Sequence, residues 1–180
     1  QRRDAKCQQL GLPLDLFEAD VIVKKGAVLN QAGQMFKVFT PFKRAWLNYV
    51  RQHGHSYIPR YKSVVVTDLA QHATLDTISN AWPLVAQVEQ HILPNFLQNK
   101  LEAYHEKRDF PAIKATSGLS PYLAIGALSA RYLLALLLQR CPDLLDDNQS
   151  THFSWLNELI WRDFYRHLLF HFPELCKRKN

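Results

Sequence analysis

Trp155, Glu158, Trp161, Arg162 and Tyr165 are the side chains of this sequence whose types and spacing could do chemistry. At about 100° per residue they fall on one stripe of a helix, inside roughly a third of its circumference. Leu156, Leu159, Ile160, Phe164 and Leu168 share the opposite side, the side a core would take. Indoles are costly to leave in water, and a carboxylate or guanidinium is costly to bury without partners. A stripe that holds both suits a flat guest with polar edges, such as a flavin or a nucleobase. A plainer arrangement uses the same residues: Glu158 and Arg162 as an i, i+4 surface ion pair, and the two tryptophans packed on a neighbouring helix.

A second group is Thr116-Ser117-Gly118-Leu119-Ser120-Pro121. Ser120 is placed to cap a helix whose first residue is Pro121, a position that tolerates the missing N–H. Free backbone N–H groups, the helix dipole and the Thr116, Ser117 and Ser120 hydroxyls would then suit a phosphate, although the string also reads as a plain cap. No Walker or Rossmann glycine pattern is present, so a P-loop or dinucleotide fold is not supported. Two histidine pairs have weaker signals. His53 and His55 sit in a loop without further ligands, and His167 and His171, spaced i, i+4, fall where a helix C-terminus would be capped by positive charge. No metal site is expected.

The elements that must position these residues are mostly helical. A polar helix over the first ten or so residues stops at Gly11-Leu12-Pro13, and Leu14 to Phe17 and Val21 to Val23 are short apolar runs of the kind that end an α/β sheet. Asn30-Gln31-Ala32-Gly33 is a turn signal between Ala27-Val28-Leu29 and Met35 to Phe39, compatible with a small hairpin. Pro41 suits the start of a helix running through Trp46 to about Arg51. From His53 to Asn80 no period is clear, and an extended surface connector is expected. Beyond Pro83 the 3.6-residue period dominates: Val85, Val88, Ile92 and Phe96, interrupted at Pro94 and running to about Tyr104. A short helix follows near Pro121, then one over Ala130 to Arg140 capped by Ser129, and finally the long two-faced helix from about Ser150.

Composition bounds the rest. In 180 residues, 47% apolar and 21% charged, there is room for one core or for pieces of two domains. A formal charge of +6 favours polyanionic partners, nucleic acid among them. Cys7, Cys141 and Cys176 are far apart and odd in number, which suits a reducing, cytoplasmic setting without disulfides. The longest wholly apolar run, Tyr132 to Leu138, is far too short to span a bilayer. The amino end lacks Met and a hydrophobic signal region, and reads as the start of a fragment.

Arg108-Asp109-Phe110-Pro111, the Thr116 to Leu123 stretch and Trp155-Leu156-Asn157-Glu158-Leu159-Ile160-Trp161-Arg162-Asp163-Phe164-Tyr165 together resemble the DNA photolyase/cryptochrome family, and within it the bacterial cyclobutane pyrimidine dimer photolyases. Val38-Phe39-Thr40-Pro41-Phe42 and Pro173-Glu174-Leu175-Cys176-Lys177 are similar to further stretches of the family. The resemblance implies a mainly α chain: the tail of an α/β antenna domain over 1–23, an inter-domain linker over 24–82, and the first half of an all-helical FAD-binding domain over 83–180. It implies FAD at Tyr104, Thr116, Ser117, Gly118, Leu119, Ser120, Trp155 and Arg162, the loop serving the diphosphate. It implies contact with DNA that contains pyrimidine dimers at Arg108, Glu158, Trp161, Arg162 and Tyr165, with Glu158 bonding the flipped dimer and Trp161 stacking on it. Cys176 and Lys177 match positions that touch a folate antenna, which would be methenyltetrahydrofolate. The implied activity is a carbon–carbon lyase driven by light, working as a monomer.

Many members of the family carry Arg where this chain has Gly118, although Gly also occurs there, and Gly leaves more of the phosphate work to backbone N–H groups. The acidic antenna residue expected ahead of Gln1 and the later helices that would complete the flavin pocket are absent, so the stretch alone is expected not to retain FAD or activity. A duplex hides its bases, and an enzyme acting on them must extrude them at a cost of a few kcal/mol. The flavin would do the electron transfer, so no residue is assigned as a general acid, base or nucleophile. A cryptochrome that signals to partners shares the FAD loop, and a flavin-free helical DNA-binding module would share the basic charge. Both remain open at the level of sequence.

Overall fold

A computed structural model describes residues 2–12, 20–54 and 82–177. The Leu14–Phe17 run, His55 and most of the expected connector, and the last three residues of the basic end lie outside them. All the regular elements among the described residues are helical. α1 spans Arg2–Gln9 and α2 Phe39–His53. α3 (Val85–Gln87) runs through a π turn at Val88–Ile92 into α4 (Leu93–Asn99). α5 (Tyr104–Lys107) and α6 (Ser120–Ala124) are short, α7 is Ala130–Arg140, and α8 is Phe153–His171. Two 3₁₀ turns, Pro142–Leu145 and Pro173–Cys176, follow α7 and α8.

The sequence explains most of these limits. α1 stops at Gly11, whose φ of 67° is left-handed backbone that favours glycine. Pro41 lies in the first turn of α2, where its missing N–H has no partner to lose. The interruption expected at Pro94 takes the form of the π turn: a widened turn just ahead of the proline relieves the clash between its ring and the preceding carbonyls. Residues 100–103 then break the segment before Tyr104. α8 begins at Phe153, later than Ser150, because the chain from Ser150 to His152 forms a turn closed by the Phe153 N–H on the Ser150 carbonyl at 2.9 Å.

Two expectations of strand are not met among the described residues. Val21 to Val23 is buried but irregular, since its N–H groups at Ile22 and Val23 go to a side chain on α8 and not to a sheet ladder. The Asn30 turn is present, with Gly33 N–H on the Asn30 carbonyl and the Asn30 side-chain oxygen accepting from Ala32 and Gln34, but no strands flank it. The turn is closed locally by one Asn side chain and needs no ladder.

One core takes residues from both sides of the undescribed 55–81. Ile22, Val23, Val28, Met35, Phe42, Trp46, Leu47 and Val50 join Val88, Leu93, Phe96, the leucines of α7 and the inner face of α8. The expected inner face of α8 holds: Leu156, Leu159, Ile160 and Phe164 are buried, and Leu168 packs against them half-buried. Where they are described, residues 24–54 pack into this core. Their helix α2 is bound into the core by Phe42 and Trp46, both fully buried, each contributing about 1.5–3 kcal/mol or more of apolar burial.

Candidate functional site

α8 is fixed in place by an acid within its buried face. Asp163 has no exposed surface, and its carboxylate accepts the Ile22 N–H at 3.1 Å on both oxygens, the Val23 N–H at 3.1 Å and the Trp46 indole N–H at 3.0 Å. Burial pushes its carboxyl up to about 6, against the pull of those N–H donors and of the neighbouring Arg162 charge. One turn further, His167 is also fully buried, packs its ring edge-on to Phe42 at 5.3 Å, and bonds the Val23 carbonyl at 3.1 Å. This corrects the expectation of a dipole-capping histidine: His167 looks into the core, and α2 and the 22–23 segment supply its neighbours. No cluster of three or more His, Cys, Asp or Glu that could hold a metal occurs among the described residues.

With α8 locked, its outer stripe is set. Glu158 lies half-buried at its centre and accepts the Arg108 guanidinium at 2.5 Å. That bond, set against burial, raises the Arg108 pKa. Arg108 also lies 5.8 Å from the centre of the Tyr104 ring. Tyr104 is buried, and its hydroxyl titrates higher than usual because of burial and then the Glu158 charge. Below the ion pair, Phe96 meets Tyr104 edge-on at 5.9 Å and lies tilted against Trp155 at 5.1 Å. Towards the other end of the stripe, Trp161 is half-buried and stacks on Phe39, with centroids 3.5 Å apart and planes 7° from parallel. Tyr165 lies 5.5 Å from Trp161 and is 56% exposed. Alongside runs a groove of about 380 Å³ lined by Lys43, His105, Phe153 and Asn157, among others.

The structure therefore brings Glu158, Trp161, Tyr165 and Arg108 to one surface, but it does not leave both indoles open. Trp155 is only 4% exposed and is packed against Phe96, because its position on the wheel borders the leucines of the inner face. Nor do Glu158 and Arg162 form the i, i+4 ion pair. Glu158 takes Arg108 instead, while Arg162 donates to the backbone carbonyls of Asp20 and, at 3.1 Å, Leu123. Burial, and then the like charge of Arg166, lowers the Arg162 pKa. Its guanidinium thus ties the end of α6 and the Asp20 segment to α8.

The 116–120 loop leads into α6. Ser120 is the first residue of α6 and not its cap. Leu119 takes the cap position, and no side chain bonds there, since Leu119 is held in the core and its neighbours turn outward. Gly118 has φ of 67° and nothing within 4 Å of where a side chain would begin. The backbone N–H groups of Thr116, Ser117, Gly118, Leu119 and Ser120 bond no carbonyl of another described residue. Thr116, Gly118 and Ser120 are exposed, and the loop is an open row of N–H donors beside hydroxyls, which suits an anion such as a diphosphate. Cys176 and Lys177 are exposed beyond the C-terminus of α8, away from the Glu158 stripe.

Three features of the site escape a reading of the sequence. Asp163 was detectable: a carboxylate in the middle of an apolar stripe must be buried with donors to remain there. Phe39 had no such signal, since its partner Trp161 is distant in sequence and no period links them. A Cys141 thiol 2.8 Å from His152 Nδ1, joining the end of α7 to the cap of α8, was equally invisible.

No family model matches the chain. It is similar to the deoxyribodipyrimidine photo-lyase of Escherichia coli (strain K12), with 39% identity over 170 residues, 91% of this chain and 36% of that protein. The deoxyribodipyrimidine photo-lyase of Vibrio cholerae is 36% identical over 195 aligned positions, 100% of this chain and 41% of that protein. Among solved structures, a bacterial class III photolyase from Agrobacterium tumefaciens superposes with a TM-score of 0.69 at 28% identity, covering 98% of this chain and 38% of that one. The chain spans between 36% and 41% of the length of these two curated relatives.

Proposed function

We propose that, over the stretch it spans, this chain belongs to the DNA photolyase/cryptochrome family, a reading its likeness to deoxyribodipyrimidine photo-lyases supports, and that the protein containing it is a light-driven lyase that splits cyclobutane pyrimidine dimers in DNA. The observation that carries this reading is the outer stripe of α8. Glu158, held by Arg108, lies between the buried aromatic group of Phe96, Tyr104 and Trp155 and the Phe39–Trp161 stack. A carboxylate beside an indole suits a pyrimidine that has left the duplex: the ring stacks on Trp161 and its polar edge bonds Glu158. Arg108, bonded to Glu158, would meet the strand's phosphates as well as orient that carboxylate.

The residues present fit FAD. The N–H groups of 116–120, which bond no backbone carbonyl among the described residues, would take its diphosphate, and Tyr104, Trp155 and Arg162 would belong to the wall around it. FAD held there would supply light-driven one-electron chemistry. The chain's own residues bind and orient. Trp161 offers a stacking surface, Glu158 fixes the base, and the packed aromatic group beneath keeps water from the site. Cys176 and Lys177 would touch a folate antenna, methenyltetrahydrofolate in this reading. The protein would act as a monomer in the cytoplasm.

The test is photorepair by the full-length parent protein carrying reduced flavin. Blue light should remove dimers from an irradiated oligonucleotide, and dark controls should not. Dimers left intact under light would overturn the proposal. Light-dependent partner binding without cleavage would mark a cryptochrome, and a full-length protein without flavin absorbance would mark a DNA-binding module.

A further inference from the structure

The face of Trp161 is already occupied on one side. Phe39 covers it in a near-parallel stack at 3.5 Å, and Lys43, one turn along α2, puts its ammonium 5.7 Å from the centre of the Phe39 ring. Phe39 is the first residue of α2 and meets Phe164 edge-on at 5.8 Å. Its place is not accidental, because the Trp46 bond to Asp163 and the burial of Phe42 pin α2 against α8. A base that stacks on Trp161 must therefore use the ring surface left by Phe39 and by Tyr165, whose ring lies 5.5 Å away and 23° from parallel, with Phe39 the closer backing.

We propose that Phe39 is a positioning residue for dimer recognition: it backs the Trp161 indole and holds its plane, so that the flipped pyrimidine meets a preset stacking surface. This inference rests on the reading of α8 as the dimer-binding helix. Pre-setting the ring removes the entropy of ordering it from the binding step, so the benefit falls on the lesion and not on undamaged duplex, which never reaches the indole. The opposite role is chemically distinct: a plug that must leave before the base can enter.

The experiment uses the full-length flavin-containing protein and measures affinity for an oligonucleotide with one cyclobutane dimer and for its undamaged twin. Phe39→Leu should weaken dimer binding by about tenfold with undamaged binding unchanged, and Phe39→Tyr should restore it. Unchanged or tighter dimer binding by Phe39→Leu would overturn the proposal, the latter marking a plug. An equal loss on both oligonucleotides would also overturn it, as a general structural effect. Trp161→Ala run in parallel separates the two levels. If it costs dimer affinity while Phe39→Leu does not, only the role of Phe39 fails. If Trp161→Ala changes nothing, the reading of α8 fails with it.

Discussion

Glu158 keeps one strong partner, Arg108 at 2.5 Å, and both side chains are about a third exposed, at 38% and 34%. Water screens such a pair, so its value lies in orientation more than in stability. Arg108→Ala should leave the melting temperature nearly unchanged and lower the photorepair rate about threefold to tenfold by letting the carboxylate wander, as steady-state turnover under fixed light would record. Gly118 is the second residue-scale case. Its φ of 67° costs a residue with a Cβ about 1 kcal/mol, though nothing within 4 Å would clash. Gly118→Ala should therefore destabilise by about that amount and, by shifting the N–H row, speed FAD loss from the full-length protein, read from flavin fluorescence. The Thr116–Ser120 donor row was legible in the sequence because glycine and hydroxyl residues crowd one short stretch. That Leu119 and not Ser120 would take the cap was not, since it depends on where Leu119 finds the core.

At the scale of elements, α8 is held by the buried Asp163 carboxylate. Asp163→Ala would strand the Ile22, Val23 and Trp46 N–H groups without an acceptor, at a cost of about 1–3 kcal/mol for each buried donor left unpaired. Its titration has a definite sign. The folded group sits at about 6 against an ordinary 3.8, so it binds its proton more tightly when folded. Its contribution to stability is full below 3.8 and is lost as pH rises through about 6, up to about 3 kcal/mol. His152, lowered by burial, runs the other way and adds stability as pH rises through its ordinary 6.5. The wild-type minus Asp163→Asn difference in urea midpoint, followed from pH 4 to 7, isolates the carboxylate and should shrink with rising pH. The two-faced pattern of α8, the Leu-rich α7 and the Pro41 start of α2 could all be read from residue order, because period and proline act locally. The docking of α2 onto α8 through Trp46 and Asp163 could not, since it spans 117 positions.

For the whole molecule, the formal charge of +6 is the property most exposed to solution conditions. Lysines and arginines that neutralise phosphates release counterions, so the log affinity of the full-length protein for DNA should fall linearly with log salt, by about 0.9 per phosphate contacted. Binding titrations across salt concentrations check this, and a flat line would leave the basic surface without the assigned role. No helix of the described residues is long and apolar enough to cross a membrane. A mainly helical chain was legible from the 3.6-residue period, and its helices do share one core. The strands expected near Val21 and Asn30 misread two apolar runs whose backbone is satisfied by an aspartate and a turn. The central claim, that the outer stripe of α8 receives a flipped pyrimidine dimer, is tested most directly by the ratio of affinities for dimer-containing and undamaged oligonucleotide in wild type and Trp161→Ala full-length protein. The account predicts that this ratio drops by about tenfold or more when the indole is removed; a ratio unchanged by Trp161→Ala would contradict it.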